Sequence, residues 1–177
     1  MKHRLKFLLK ILFLIAGVSC SEGDVITTEI DFEAMLDSCG SNDNDSFVFY
    51  KVSEDQTELL SFGFESTTFD IDAFFEEDIR VALNDQSNRL TYRKLTESID
   101  PKNYFCTSIP PADTNIDLEL QSANGEGVFR YTLVEETNET ITFDRSLVMV
   151  STTLRGNGIS LRNEVIILGT QRLSRNK

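Results

Sequence analysis

The sequence predicts an all-β protein, an antiparallel β-sandwich of immunoglobulin-like or related type with one or two short helical turns. Short runs of β-branched and aromatic residues recur about every ten positions, and polar turn sequences separate them. Only three prolines occur in the 177 residues. Many short strands with regular turns and few prolines are typical of a sandwich.

The predicted strands follow these runs in order along the chain. They cover residues 25–30, 46–52, 58–64, 79–83, 89–95, 103–106, 116–121, 127–135, 140–144, 146–154 and 159–168. In the run 127–135, Phe129, Tyr131 and Leu133 share one face, which predicts a strand with one buried side. The run 46–52 is apolar on both faces, so we expect it to be buried on both sides.

Two segments between strands predict the short helical turns. In residues 31–38, Phe32, Met35 and Leu36 recur at helical spacing, which suits a short amphipathic helix leading towards Cys39. The second segment covers residues 70–78 and is rich in acidic residues.

One internal similarity links residues 50–62 to residues 131–143. Both stretches predict a strand, an acidic turn and a return strand with the same spacing of apolar residues. A duplicated hairpin would explain the match. A chance match would also explain it, because β-hairpins are built from a small set of recurring residue patterns. We favour chance.

Residues 1–19 have the order of a secretory signal peptide, a basic head followed by a short apolar run and small residues. The basic residues of the head are Lys2, Arg4, Lys6 and Lys10. The uncharged run 11–18 is shorter than the roughly 20 residues that span a bilayer. We therefore predict a leader that is removed, and a mature chain that is anchored or soluble.

The end of this leader, Gly17-Val18-Ser19-Cys20, resembles the lipobox of bacterial lipoproteins. The resemblance implies that the Cys20 thiol is acylated and that Cys20 becomes the N-terminus. Gly17 departs from the pattern, because that family usually has a bulkier apolar residue there. Ordinary cleavage by a type I signal peptidase is the alternative.

Residues 20–24 predict a lipidated cysteine and a polar tether. The acidic tether resembles the signal that sends lipoproteins of Bacteroidota to the cell surface. That resemblance implies a bacterial cell-envelope protein, exposed on the outer membrane and held there by its lipid. A plain solvated tether is the alternative. Residues 25–172 are predicted as a single β-sandwich domain, and residues 173–177 as a polar C-terminal tail.

The composition excludes several classes of function. Without residues 1–19 the chain has 13 Lys and Arg against 29 Asp and Glu, a formal charge of −16 that repels phosphate backbones. We therefore predict no nucleic-acid partner. The only histidine is His3, in the leader, so the mature chain has no imidazole for a catalytic triad, a general base or a metal site.

Three cysteines are accounted for if Cys20 carries lipid. Cys39 and Cys106 are then left as a pair in an oxidising compartment, where a disulfide is the default. Two free thiols that serve as a nucleophile or as metal ligands are the alternative.

No metal or other cofactor is predicted, although calcium is left open as a ligand of acidic segments. Carboxylate oxygens suit calcium. The candidate ligands are Asp43, Asp45, Asp70, Asp72 and Glu76. If residues 70–78 were helical, Asp72 and Glu76 would share a face, and their repulsion would favour a cation. Solvated acidic turns are the alternative.

These observations predict a lipid-anchored cell-envelope module that binds a protein or a polysaccharide through its loops, or serves as an accessory protein of an outer-membrane complex. The aromatic candidates for contact are Phe74, Phe75, Tyr104 and Phe105, unless they belong to the core. Whether the protein is an enzyme is left open, with no catalytic residue assigned. The alternatives are a glycan hydrolase that uses only carboxylates and a calcium-assisted carbohydrate-binding domain.

Overall fold

The computed structural model describes residues 25–26, 30, 32–41, 46–66, 69–84, 86–107, 111 and 114–177. Within these residues the chain forms nine strands and one short helix. The strands are β1 (Val25–Ile26), β2 (Asp37–Ser41), β3 (Ser46–Val52), β4 (Glu58–Glu65), β5 (Ile79–Ala82), β6 (Arg89–Leu95), β7 (Ile116–Glu136), β8 (Thr140–Gly156) and β9 (Ile159–Asn176). The helix, α1, spans Pro101–Phe105.

All of these strands belong to one sheet with the order β1-β9-β8-β7-β6-β4-β3-β2, and β5 pairs with β7 beside β6. Every pairing is antiparallel except that of β1 with β9. The sheet curls into a half-barrel. The prediction of an antiparallel all-β protein is confirmed. The structure fits a β-sandwich only loosely, because a single curled sheet encloses the core in place of two facing sheets.

Side chains bridge the opening of the half-barrel. Lys51 on β3 donates from Nζ to the main-chain oxygen of Ile167 on β9, at 2.9 Å. Gln171 on β9 donates from Nε2 to Ser38 Oγ on β2, at 3.0 Å. A glycine is required at Gly169, because its φ is +147° and a Cβ there would lie 2.7 Å from that of Leu36. These contacts bring the two ends of the strand order together.

The strands β7, β8 and β9 are longer than the sequence predicts. The pair Asn124-Gly125 has the composition of a turn but forms a bulge, with register shifts between Ser122, Asn124 and Glu126. The predicted strands 116–121 and 127–135 are therefore one strand, as are 140–144 and 146–154. β9 continues to Asn176, so residues 173–176 belong to the sheet instead of a tail.

Helix α1 occupies a segment that we predicted as a strand, residues 103–106. Asp100 caps its N-terminus by accepting a hydrogen bond from the Asn103 amide, and Pro101 occupies the first turn. The aromatic residues suggested a strand, but this capping chemistry selects a helical turn. Of the predicted strand 25–30, β1 covers residues 25–26, and residues 27–29 lie outside the described part.

The two predicted helical turns do not form helices. In residues 32–36, Met35 is exposed and Leu36 is buried, and the chain continues into β2. In residues 69–78, the Ile71 side chain is fully buried, and its carbonyl oxygen accepts from Tyr131 Oη and Arg145 Nη1, each at 3.0 Å. Because this carbonyl oxygen accepts hydrogen bonds from side chains of the sheet, it does not accept the main-chain hydrogen bond that would continue a helix.

The core lies on the inner, concave face of the sheet. Its largest fully buried side chains are aromatic and come from β3, β4, β7 and β8. They are Phe49, Phe62, Phe129 and Phe143. On the outer face, a smaller cluster of Leu59, Leu95 and Tyr104 holds α1 against the sheet.

The two similar hairpins differ in pairing. Tyr50 is opposite Ser61 on the β3–β4 hairpin, whereas Tyr131 is opposite Arg145 on the β7–β8 hairpin. Tyr50 stacks on Phe105 outside the sheet, and Tyr131 donates to Ile71 inside it. The two hairpins thus differ in strand register and in the face of the sheet on which the tyrosine lies, as is expected of a chance match.

Candidate functional site

The predicted acidic ligands do not converge in the described residues. Asp70 Oδ2 accepts a hydrogen bond from Arg175 at 2.6 Å, and Asp72 Oδ1 accepts one from Arg145 at 2.9 Å. Glu76 is exposed. Asp43 and Asp45 lie outside the part of the chain that the structure describes. Within that part, no group of three acidic, histidine or cysteine side chains has the geometry to hold a metal ion.

The predicted disulfide joins Cys39 on β2 to Cys106 at the C-terminus of α1, with 5.4 Å between their Cα atoms. It attaches α1 to the outer face of the sheet. The Phe105 ring stacks on the Tyr50 ring with 4.3 Å between centroids. The disulfide and this stack together hold α1 above β3.

An open groove of about 270 Å³ lies on this outer face, beside α1. Its floor is formed by outward-facing residues of β3, β4 and β6. They are Val48, Ser61, Gly63 and Thr91. Gly63 keeps the floor low, because the nearest atom to a Cβ at this position would be the Arg89 carbonyl oxygen, 3.9 Å away. A larger side chain at Gly63 would therefore enter the groove without a clash.

The walls of the groove are polar and aromatic. Tyr104, Phe105 and Thr107 line the side of α1. Gln86, Arg89 and Arg93 also line the groove. None of the ten lining residues is acidic, although the whole chain has 29 acidic residues and 17 basic ones. The lining itself is therefore basic, although the Glu119 carboxylate pairs with Arg93 next to it.

Arg93 is fixed at the wall by two partners. It donates from Nε to Glu119 Oε2 at 2.6 Å and from Nη1 to Tyr104 Oη at 2.8 Å. Burial raises the pKa of Glu119, but the hydrogen bond and charge of Arg93 outweigh it and hold that pKa below its usual value. The carboxylate therefore stays ionised and keeps the guanidinium oriented.

The aromatic contact candidates fall into two groups. Phe74 packs on Phe143 and Phe75 packs on Tyr131, with centroid distances of 5.7 and 5.3 Å, so both belong to the core. Tyr104 and Phe105 line the groove. Arg89, Arg93, Ser61 and Gly63 were not singled out from the sequence. Their alternate positions in β4 and β6 were the signal that they share one outward face.

A second surface on the outer face of β8 and β9 is apolar. Val165 and Ile167 are 54% and 64% exposed. They lie opposite Val150 and Val148 across the β8–β9 pairing. An open pocket of about 280 Å³ lies beside it, and its polar lining residues include Arg80 and Arg130, which are paired with Glu126 and Asp78.

No protein-family model, curated protein or solved structure matches this chain. Among the described residues, no helix is long and apolar enough to cross a membrane. We therefore infer function from the chemistry of the groove.

Proposed function

We propose that this protein is a non-catalytic binding module of the bacterial outer membrane, anchored through lipid on Cys20, and that its groove binds an acidic sugar unit of a polysaccharide. The observation that carries the proposal is the lining of the groove. Two arginines and no carboxylate line the groove in an otherwise acidic protein, and the nearby Glu119, which pairs with Arg93, lies outside the lining.

The side chains of the groove suit a sugar acid. Arginine donors bind carboxylates through charge-assisted hydrogen bonds, which are about twice as strong as neutral ones. Ser61, Thr91, Thr107 and Gln86 add hydroxyl and amide groups that can bond sugar hydroxyls. The volume of about 270 Å³ is below the roughly 300–1,000 Å³ of typical pockets for drug-sized ligands, so it suits one unit of a longer chain.

The alternatives receive less support from this geometry. A hydrolase that uses only carboxylates needs two acids that flank the scissile bond, and no acid lines the groove. Calcium-assisted binding needs oxygen ligands beside the sugar, whereas this groove presents guanidinium groups. An accessory role in a protein complex is favoured by the exposed Val165 and Ile167.

The test is calorimetric titration of the mature, detergent-solubilised protein with glucuronic acid and with glucose. We expect glucuronic acid to bind at least about 10-fold more tightly, since a hydrogen bond to a charged group contributes about 1.5–3 kcal/mol. Gly63→Leu fills the groove and should abolish binding.

The matched control is Ser174→Leu, on the exposed outer face of β9, which should bind normally. Equal affinity for the two sugars, or full binding by a folded Gly63→Leu protein, would refute the sugar-acid site. Absence of binding to either sugar would favour the protein-partner alternative.

A further inference from the structure

The outer face of the sheet carries further arginines beyond the groove. Thr91 on the floor is opposite Gln121 on β7, which is opposite Arg155 on β8. Arg162 on β9 is opposite Thr153. Leu154 and Leu161, the sequence neighbours of Arg155 and Arg162, are buried in the core, so both arginines point outward.

The spacing of the strands places these arginines close to the groove. Arg155 lies two strands from Thr91, about 10 Å across the sheet. Arg155 and Arg162 are diagonal neighbours on adjacent strands, because Arg155 is opposite Ser160. Such neighbours are about 7–8 Å apart. The groove, Arg155 and Arg162 therefore follow one another across β6 to β9.

Two acidic residues share this face with the arginines, since Glu119 pairs with Arg93 and Glu164 pairs with Arg162. Arg155 is exposed and has no ion-pair partner among the described residues. Arg162 is 66% exposed, and its ion pair with Glu164 is long, at 3.5 Å, and equally exposed. Exposed pairs of this kind contribute little, so Arg162 can exchange Glu164 for a ligand carboxylate.

We propose that the groove is the first subsite of an extended track, defined as the groove together with Arg155 and Arg162, that binds a polyanionic glycan chain. This inference rests on the proposed function of the groove. One acidic unit occupies the groove, and later units of the same chain meet Arg155 and then Arg162. Each added contact strengthens binding, because the units are linked and the second event is intramolecular.

A glycan fits the track better than a nucleic acid. Binding of a phosphate backbone gains strength from many cationic contacts, and single strands also stack on exposed aromatic rings. The track has few arginines, and its residues beyond the groove, Arg155 and Arg162, are not aromatic. The surrounding negative charge opposes a dense polyanion more than a chain with one carboxylate per unit.

The experiment measures affinity against chain length, with galacturonic acid and its dimer, tetramer and hexamer as probes and the mature, detergent-solubilised protein. We expect the tetramer to bind about 10-fold or more tightly than the monomer. The double variant Arg155→Gln/Arg162→Gln should bind the monomer as the wild type does and bind the tetramer no more tightly than the monomer. The control Arg172→Gln/Lys177→Gln removes the same charge from the far end of the sheet and should keep the length dependence.

The outcomes separate this inference from the proposed function. Monomer binding without length dependence, or length dependence that survives in the Arg155→Gln/Arg162→Gln protein, overturns the track and leaves the groove. If tetramer binding requires Arg155 and Arg162 but is unchanged by Gly63→Leu, the groove is not the first subsite. Tighter binding of single-stranded poly-dT than of the hexamer in 0.15 M salt would replace the glycan with a nucleic acid.

Discussion

Two arginines of this protein have similar partners and opposite roles. Arg145 on β8 points into the half-barrel, where its side chain is 4% exposed and bonds the Asp72 carboxylate. Arg93 on β6 points outward, where its side chain is 28% exposed and bonds the Glu119 carboxylate. Each residue lies on a β-strand and pairs with one acid, so residue type and partner do not distinguish them.

The difference lies in what else each guanidinium holds. Arg145 donates to the Ile71 carbonyl and to Gln171 Oε1 and lies 5.0 Å from the Phe49 ring centre, so it ties residues 69–78 and β9 to the core. Arg93 bonds Tyr104 of α1 and borders open space. The buried Arg145 thus ties several segments together through its two Nη atoms, whereas Arg93 at the groove wall stays partly open to solvent.

The largest effect should come from the disulfide, which builds the outer site. Cys39→Ser/Cys106→Ser should lower the free energy of unfolding by about 4 kcal/mol, because the bond closes a loop across 67 residues. It should also weaken glucuronic acid binding, since α1 loses its attachment. Urea unfolding and calorimetric titration measure the two effects, and wild-type protein treated with a reductant is the control. Unchanged stability after reduction would contradict this role.

The next largest effect should come from the inner arginine. Arg145→Met keeps much of the side-chain volume but removes the bonds to Asp72, Ile71 and Gln171, so we expect a loss of about 3 kcal/mol in unfolding free energy. Urea unfolding gives the value. Arg93→Met is the matched outer variant and should lose less stability but most of the sugar binding. Equal losses of unfolding free energy in Arg145→Met and Arg93→Met would contradict the distinction between the inner and the outer arginine.

A smaller effect is expected at Tyr131, which shares the Ile71 carbonyl with Arg145. Tyr131→Phe should cost about 1 kcal/mol at neutral pH, because one buried hydrogen bond is lost. Burial raises the pKa of Tyr131 to about 12, from 10.0. The unfolded state therefore ionises first, and the stability that this residue contributes is complete below pH 10 and lost as the pH rises to 12.

Thermal melts between pH 8 and pH 12 measure this difference. The wild type should lose more stability over that interval than Tyr131→Phe. Parallel curves for the two proteins would contradict the inner position of this hydroxyl.

The smallest effect should come from the outer carboxylate. Because Arg93 holds the Glu119 pKa below its usual 4.5, the pair contributes stability above that pH, and the contribution is lost as the pH falls through the folded-state pKa. Glu119→Gln should cost about 1 kcal/mol or less at pH 7, and melts at pH 7 and pH 3 should show the gap to wild type closing. A stability difference between wild type and Glu119→Gln that is larger at pH 3 than at pH 7 would contradict the lowered pKa of Glu119.

The sequence predicted much of the sheet and little of the site. Runs of apolar and β-branched residues located β3, β4 and β6 closely, because the core buries the inner face of each of these strands. They broke β7 into two pieces, because Asn124-Gly125, which forms a bulge, has the composition of a turn, and they broke β8 at Arg145, whose side chain is buried in the half-barrel. The acids of residues 70–78 looked like cation ligands, because nothing local reveals that Arg145 and Arg175 are brought to them across the fold.

By itself, the sequence determined the fold class, the strongly acidic charge, the pairing of Cys39 with Cys106 and the absence of histidine after residue 3. These properties depend on composition and on local periodicity. The tertiary structure decided which arginine faces the core and which faces the groove, and it placed α1 beside Gly63 to form that groove. Both outcomes depend on strand register and on contacts between residues far apart in the chain, and neither is encoded in any single segment.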